Sequence, residues 1–410
     1  MTMATVPSAA TGSSDRLYAL DAVRAGALLL GVVFHASLSF MEPPIWLVGD
    51  VSTSVAMNVT YYVLHLFRLT VFFLMAGFFA RMLLHRRGTA GFARDRVKRI
   101  LLPLVVFWPI VMVSTVGVVI WSAIQTNSKP PKAPPVSAQT FPLTHLWFLY
   151  MLLIFYVAAV GLRAFVVLFD HSGAFRARLV DPLVRTIVTS GLTPIVLGAP
   201  LCLALFFKAD WLMWFGVPPA ENGLIPNTPA LIGYGTAFGF GWLLQRQSDL
   251  LRVWERRYLL NLTVALTLTV VCVTLVGLSP VLVPAPEDWR RLVYVIAYTL
   301  AIWAWTTALV GLALRHLAAR NPVIRYVADA SYWIYIVHLP LVMVLQTAVA
   351  QLPIPWFGKY VMILGTALPL LLLSYHYLAR STFVGAIMNG RRYVRRSRRT
   401  ANTAALAAAE

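Results

Sequence analysis

Charge is what this chain has least of. Only 12% of its 410 residues are charged, while 59% are hydrophobic. That balance excludes an ordinary soluble domain, in which about a quarter of residues carry charge. Acidic residues are the scarcer sign, with 15 Asp and Glu against 34 Lys and Arg. Cysteine is nearly missing. Cys202 and Cys272 each lie inside an apolar run, so neither a disulfide framework nor a cysteine-based metal site is expected. The first 15 residues lack an apolar core, and no cleaved signal peptide is expected.

What is present is apolar sequence in stretches of the length that crosses a bilayer, about 20 residues as helix. Ten spans are read, near 20–41, 59–84, 100–122, 144–169, 187–207, 229–245, 259–279, 291–314, 328–350 and 359–379. The expected fold is an all-α polytopic membrane protein of about ten transmembrane helices. The net charge of +19 does not point to nucleic acid, because the positive residues gather in short loops between spans. Of these, 24 fall on one side, from Arg16 through Arg86–Arg99 to Arg391–Arg399, and 6 on the other. By the positive-inside rule both termini are cytoplasmic. Residues 1–19 are read as a disordered cytoplasmic segment, 20–380 as the membrane domain and 381–410 as a basic cytoplasmic tail.

The first span is the least ordinary. Within LDAVRAGALLLGVVFHASLSFM, Arg24 and His35 are 11 residues apart, about three turns, so both project from one face. Leu28 and Gly31 lie between them, and Asp21 joins the stripe one turn before Arg24. Ionisable groups at membrane depth cost several kcal/mol unless they face protein or a water-filled cavity. One reading is an Asp–Arg pair capping a helix, with a packed histidine beyond it. The other is a lined pathway ending at a group suited to proton transfer.

Span two carries His65 and Arg68, three residues apart on a similar face. Their depth roughly matches that of His35, so two histidines and an arginine are expected to converge in the outer half of the membrane. The following loop, HRRGTAGFARDRVKR, is the densest internal basic cluster. It suits contact with anionic lipid, or capture of a multiply phosphorylated cytosolic molecule. The outer loop 123–143 is proline-rich and is expected to be extended, leading to THLWFLY with His145 and Trp147. Trp211, Trp214 and Phe215 on the next outer loop suit sugar stacking or interfacial anchoring equally. Span nine places Ser331, Tyr335 and His338 on one face. Pro340 is expected to loosen that helix. Spans five to eight read as scaffold.

Five blocks in order resemble the acyltransferase-3 superfamily of integral membrane proteins: RLYALDAVRAGALLLGVVFH, HLFRLTVFFLMAGFF, RVKRILLP, HLWFL and ASYWIYIVHLPL. Within it the likeness is to the glucans biosynthesis protein C group, which succinylates periplasmic glucans. The chain has Ala76-Gly77-Phe78 where the family commonly has Ser-Gly-Phe/Tyr. The resemblance implies an acyl-CoA-dependent O-acyltransferase of the bacterial inner membrane, acting on a periplasmic glucan or other glycan. Acyl-CoA, with succinyl favoured over acetyl, would be a co-substrate, and no tightly bound cofactor or metal is implied. His35 would be the general base, with Arg24, Asp21, Arg68, His65 and His338 in the catalytic set. Arg24, Arg96, Lys98 and Arg99 would hold the donor, and His145, Trp147, Tyr335 and Ser331 the acceptor. Arg68 would serve an oxyanion or the distal carboxylate of the acyl group. A transporter or flippase using the His/Arg stripe is the competing class, although no internal repeat relates the two halves. The oligomeric state is left open, a homo-oligomer included.

Overall fold

The computed structural model describes residues 11–286 and 288–389. Most of the basic tail, including Arg391–Arg399, and the first ten residues lie outside the described residues. All described regular structure is helical: α1 (Thr11–Ser37), α2 (Val55–Arg96), α3 (Leu102–Gln125), α4 (Trp147–Phe169), α5 (Asp181–Thr189), α6 (Thr193–Phe206), α7 (Thr228–Leu244), α8 (Leu251–Arg256), α9 (Tyr258–Val276), α10 (Trp289–His316), α11 (Pro322–Val349), α12 (Trp356–Ser374) and α13 (Phe383–Asn389). Among the described residues there is no strand, only an isolated antiparallel bridge between Pro142 and Asn222.

Seven helical stretches are long and apolar enough to cross a membrane, or eight with a bent pair counted. One of the seven, Val55–Gln125, is 71 residues long. At 1.5 Å per residue it would reach about 106 Å as a straight rod, far beyond one bilayer. It is not straight. Gly88 breaks α2 in a left-handed conformation (φ 66°), and a π turn over Val97–Leu101 separates α2 from α3. The basic segment expected as a loop is therefore mostly helical. Outward faces of α3, α4 and α9 carry bare aliphatic side chains such as Val113, Val157 and Val270, as lipid contact requires.

Two further expectations change. The fifth span is not one rod: α5 and α6 meet at an angle of 103°, with Gly191 at the corner in a positive-φ conformation (φ 82°). At 14 residues, α6 alone reaches only about 21 Å. The proline-rich loop is not free either. Its end pairs with the loop between α6 and α7, Leu143 N–H donating to Glu221 O and Gly223 N–H to Phe141 O, both at 2.9 Å. Trp211 and Trp214 are buried in this cap, their indole N–H groups bonded to Gly216 O (2.7 Å) and Gly277 O (3.2 Å). They present no open face to a sugar or to an interface.

α1 packs between α2 and α11, and α10 joins α9, α6, α1 and α2 into the centre. The α2–α7 contact depends on absent side chains. A Cβ on Gly77 would overlap the carbonyl of Phe238, and one on Gly241 the carbonyl of Leu74. Small residues permit this approach where lipid supplies no hydrophobic drive between helices. Between the loop after α1 and the start of α12, Lys359 and Asp50 form a 2.6 Å ion pair with both side chains almost wholly buried.

Candidate functional site

Three elements bring three imidazoles together. α1 supplies His35, α11 supplies His338, and a 3-10 turn (Thr144–Leu146) supplies His145. Ring centroids lie 5.1 Å apart for His35–His338 and for His145–His338, and 6.4 Å for His35–His145. The turn is held under backbone strain, since Thr144 is a β-branched residue at φ 53°.

Backbone carbonyls select the tautomers. A carbonyl only accepts, so His338 must donate from Nδ1 to Tyr335 O (2.6 Å), leaving Nε2 with a bare lone pair. His145 donates from Nε2 to Ile336 O (3.1 Å), leaving Nδ1 bare. Both bare nitrogens are buried without a partner, as is Nδ1 of His35. α11 continues unbroken through Pro340. The proline has no N–H for the carbonyl four residues back, and that carbonyl is Ile336, the acceptor His145 uses. Tyr335 completes the lock by donating to His145 O (2.6 Å).

Arg68 reaches this cluster across Gly31. A Cβ at Gly31 would lie 2.9 Å from Arg68 Nη1 and 3.8 Å from His338 Nε2. The guanidinium rests over Phe34, 4.3 Å from its centroid. It has no ion pair among the described residues, and its Nε lacks a hydrogen-bond partner. A buried cation without a counter-charge is costly. The site therefore favours an incoming anion or a developing negative charge.

His65 does not join the imidazoles. It stacks on Tyr61 (5.4 Å) and Phe34 (5.9 Å). Ser331 is in the core with its hydroxyl donated to Ala328 O, and Trp147 packs against Tyr234. Two contributors escaped the sequence reading. Gln346 donates to the carbonyl of His35 (2.8 Å) and accepts from the indole of Trp46 (3.2 Å). Trp46 in turn lies beside the His35 ring, at 6.0 Å. The available signal was a lone amide in the apolar C-terminal half of span nine. The three rings do not form a ligand set for a metal ion, nor does any other group of three His, Cys, Asp or Glu among the described residues.

At the arginine-rich end of α1, Arg24 pairs with Asp21 (3.1 Å) and lies over Phe79. Both line a cavity of about 90 Å³ with Tyr18, Asn321, Arg325 and Asp329. Nearby, buried Asp95 gathers Arg87 (2.8 Å), Arg96 (2.7 Å) and Arg99 (3.2 Å). Arg96 also donates to Tyr156, and the Tyr332 hydroxyl to Arg99 O. Lys98 is exposed. One carboxylate among three guanidinium groups leaves the cluster positive.

The chain matches the family model described as an acyltransferase domain over residues 17–376. Among curated proteins it is similar to the glucans biosynthesis protein C of Salmonella paratyphi B and of Salmonella heidelberg. Each is 28% identical over 152 residues, covering 36% of this chain and 39% of the relative. The aligned part thus spans well under half the length of the curated relatives. No solved structure matches.

Proposed function

We propose, from the fact that this chain belongs to the acyltransferase-3 family, that it is a transmembrane O-acyltransferase using a cytosolic acyl-CoA. The acceptor is a hydroxyl of a periplasmic glucan or related glycan, and the acyl group is succinyl. In this reading the ten helical stretches cross the inner membrane of a bacterium with both termini cytoplasmic, and residues 20–380 form the catalytic domain. The donor nucleotide sits against Arg24, Arg96, Lys98 and Arg99, and the pantetheine arm follows the Leu28–Gly31 seam of α1.

The chemistry balances without a cofactor. His35 takes the proton of the acceptor hydroxyl as general base, an effect typically worth about 10²–10⁴ in rate. The oxygen attacks the thioester carbonyl, and Arg68 stabilises the negative charge that develops on the carbonyl oxygen. Collapse breaks the carbon–sulfur bond, and the thiolate of CoA leaves and takes the proton back from His35. His145 and His338 supply fixed lone pairs that accept from neighbouring hydroxyls of the acceptor sugar and so orient it.

One observation carries this reading. Three imidazoles with bare, buried nitrogens meet a guanidinium that has no carboxylate partner, in a chain of an acyltransferase family. Mass analysis of periplasmic glycans from cells with and without the protein tests it: an acyl substituent is expected only with the protein present. A transporter is the second reading, favoured by the broken α5–α6 pair, because interrupted helices recur in transporters. Solute movement without CoA consumption would establish that class instead.

A further inference from the structure

A larger cavity, of about 460 Å³, shares no lining residue with the Arg24 cavity. Its walls are Arg81, Met82, His85 and Arg86 of α2, Gln245 and Arg246 just beyond α7, and Asp181 at the start of α5. Only one of its guanidinium groups is matched. Arg246 grips both oxygens of Asp181 at 2.6 Å. Arg81 donates to Gln245 and lies beside His85; it makes no ion pair among the described residues, although the Asp181 carboxylate attracts it from across the cavity. Arg86 is exposed and makes no ion pair among the described residues. Arg163 and Arg176 add positive potential from the neighbouring α4–α5 corner; Arg176 is held by Asp170 (2.7 Å).

This open cleft holds three guanidinium groups against one carboxylate, a net positive charge that a bound anion would offset. Planar guanidinium forks match phosphate oxygens in geometry as well as charge. Asp181, the first residue of α5, supplies the third wall. From there α5 turns Val184, Ile187 and Val188 inward, and Phe175, Leu179 and Leu183 are exposed beside Arg178 and Arg185. Apolar and basic side chains mixed along one rim suit the headgroup layer of a membrane.

We propose that this cavity is a phosphate-binding site, in which Arg81 and Arg86 hold a phosphate ester against the fixed Arg246–Asp181 wall. Two carriers present that chemistry at the arginine-rich face: the headgroup of an anionic phospholipid and a soluble phosphorylated nucleotide. Binding involves no acyl transfer, so the site stands whether or not the enzymatic reading does.

The test uses the full-length protein. Native mass spectrometry from nanodiscs compares retention of phosphatidylglycerol with that of phosphatidylcholine, and calorimetry measures adenosine 3′,5′-bisphosphate. At least one of the two probes is expected to bind, and Arg86→Gln to weaken it roughly ten-fold, the loss of one charge-assisted contact. Arg81→Gln should weaken it at least as much. Arg252→Gln, at an exposed arginine of α8, should leave it unchanged. Selective phosphatidylglycerol retention that Arg86→Gln weakens assigns a lipid, and nucleotide binding that Arg86→Gln weakens assigns a soluble ligand to this cavity rather than to the Arg24 site. The proposal is overturned if neither probe binds above the phosphatidylcholine control, or if Arg86→Gln and Arg252→Gln weaken binding equally. Should Arg81→Gln fail to fold, the Arg86→Gln comparison decides alone.

Discussion

His145 donates its Nε2 proton to the main-chain carbonyl of Ile336 at 3.1 Å, and Ile336 is the acceptor that Pro340 leaves without a helical partner. A proline within a helix here creates the anchor that fixes an imidazole on another element. Replacing Pro340 with Ala supplies the missing N–H, which then competes for Ile336 O. The expected result is a helix at least as stable in thermal unfolding, with activity lowered about ten-fold as His145 loses its fixed tautomer. In a double-mutant cycle, His145→Ala should cost less on the Pro340→Ala background than on the natural one. Equal costs would remove the link.

Gly31 holds open the space that the Arg68 guanidinium enters. Gly31→Ala requires that flexible end to give by a few tenths of an ångström, roughly, and is expected to lower activity modestly. Gly31→Leu should displace it and resemble Arg68→Gln in kcat. Unchanged kcat in Gly31→Leu, with the protein inserted normally, would separate Arg68 from the chemistry.

The buried Lys359–Asp50 pair ties the loop carrying Trp46 to the start of α12. Lys359 also donates to Ala350 O at 2.9 Å. Removing one partner leaves a buried charge alone, at a cost of about 3–5 kcal/mol. Lys359→Met or Asp50→Leu should each lower thermal stability markedly, and the double variant should recover most of the loss. Additive losses would contradict a directly coupled pair.

Helix packing makes its own prediction. Gly77→Ala and Gly241→Ala each place a Cβ on a main-chain carbonyl of the facing helix, an overpacking worth about 1–3 kcal/mol or more. Gly239→Ala, on the same helix as Gly241 but with open space around its Cβ position, should be neutral in thermal unfolding. Equal destabilisation at positions 239 and 241 would contradict close approach as the cause, because Ala is the better helix former and should by itself stabilise both.

Much of this architecture was legible because lipid imposes a simple code. Apolar length marks helices, and the described regular structure is helical, with seven stretches long and apolar enough to cross a membrane, or eight with the bent pair. Helical spacing alone put Arg24 and His35 on one helix about three turns apart; the structure sets the first at a cavity with Asp21 and the second beside His338. Spacing within one helix cannot reveal which second and third helices approach it, however. His65 shared a face with Arg68 and was expected at the cluster, yet it stacks on Tyr61 while His145 and His338 arrive from elements far off in sequence. The α5–α6 bend was missed because an apolar run looks the same whether it is straight or folded at Gly191. Trp211 and Trp214 misled in the opposite sense. Aromatic residues in a loop suggest an interface, and nothing local announces that two loops pair to bury them.

The central claim is tested most directly by reconstituting the purified protein in proteoliposomes, with acyl-labelled succinyl-CoA on the arginine-rich side and a glucan on the other. The account predicts label covalently attached to the glucan, stoichiometric release of CoA, and loss of both by at least about 10²-fold in His35→Ala, which still inserts. Transfer at near-normal rate in His35→Ala, or movement of intact donor with no CoA released, would contradict it.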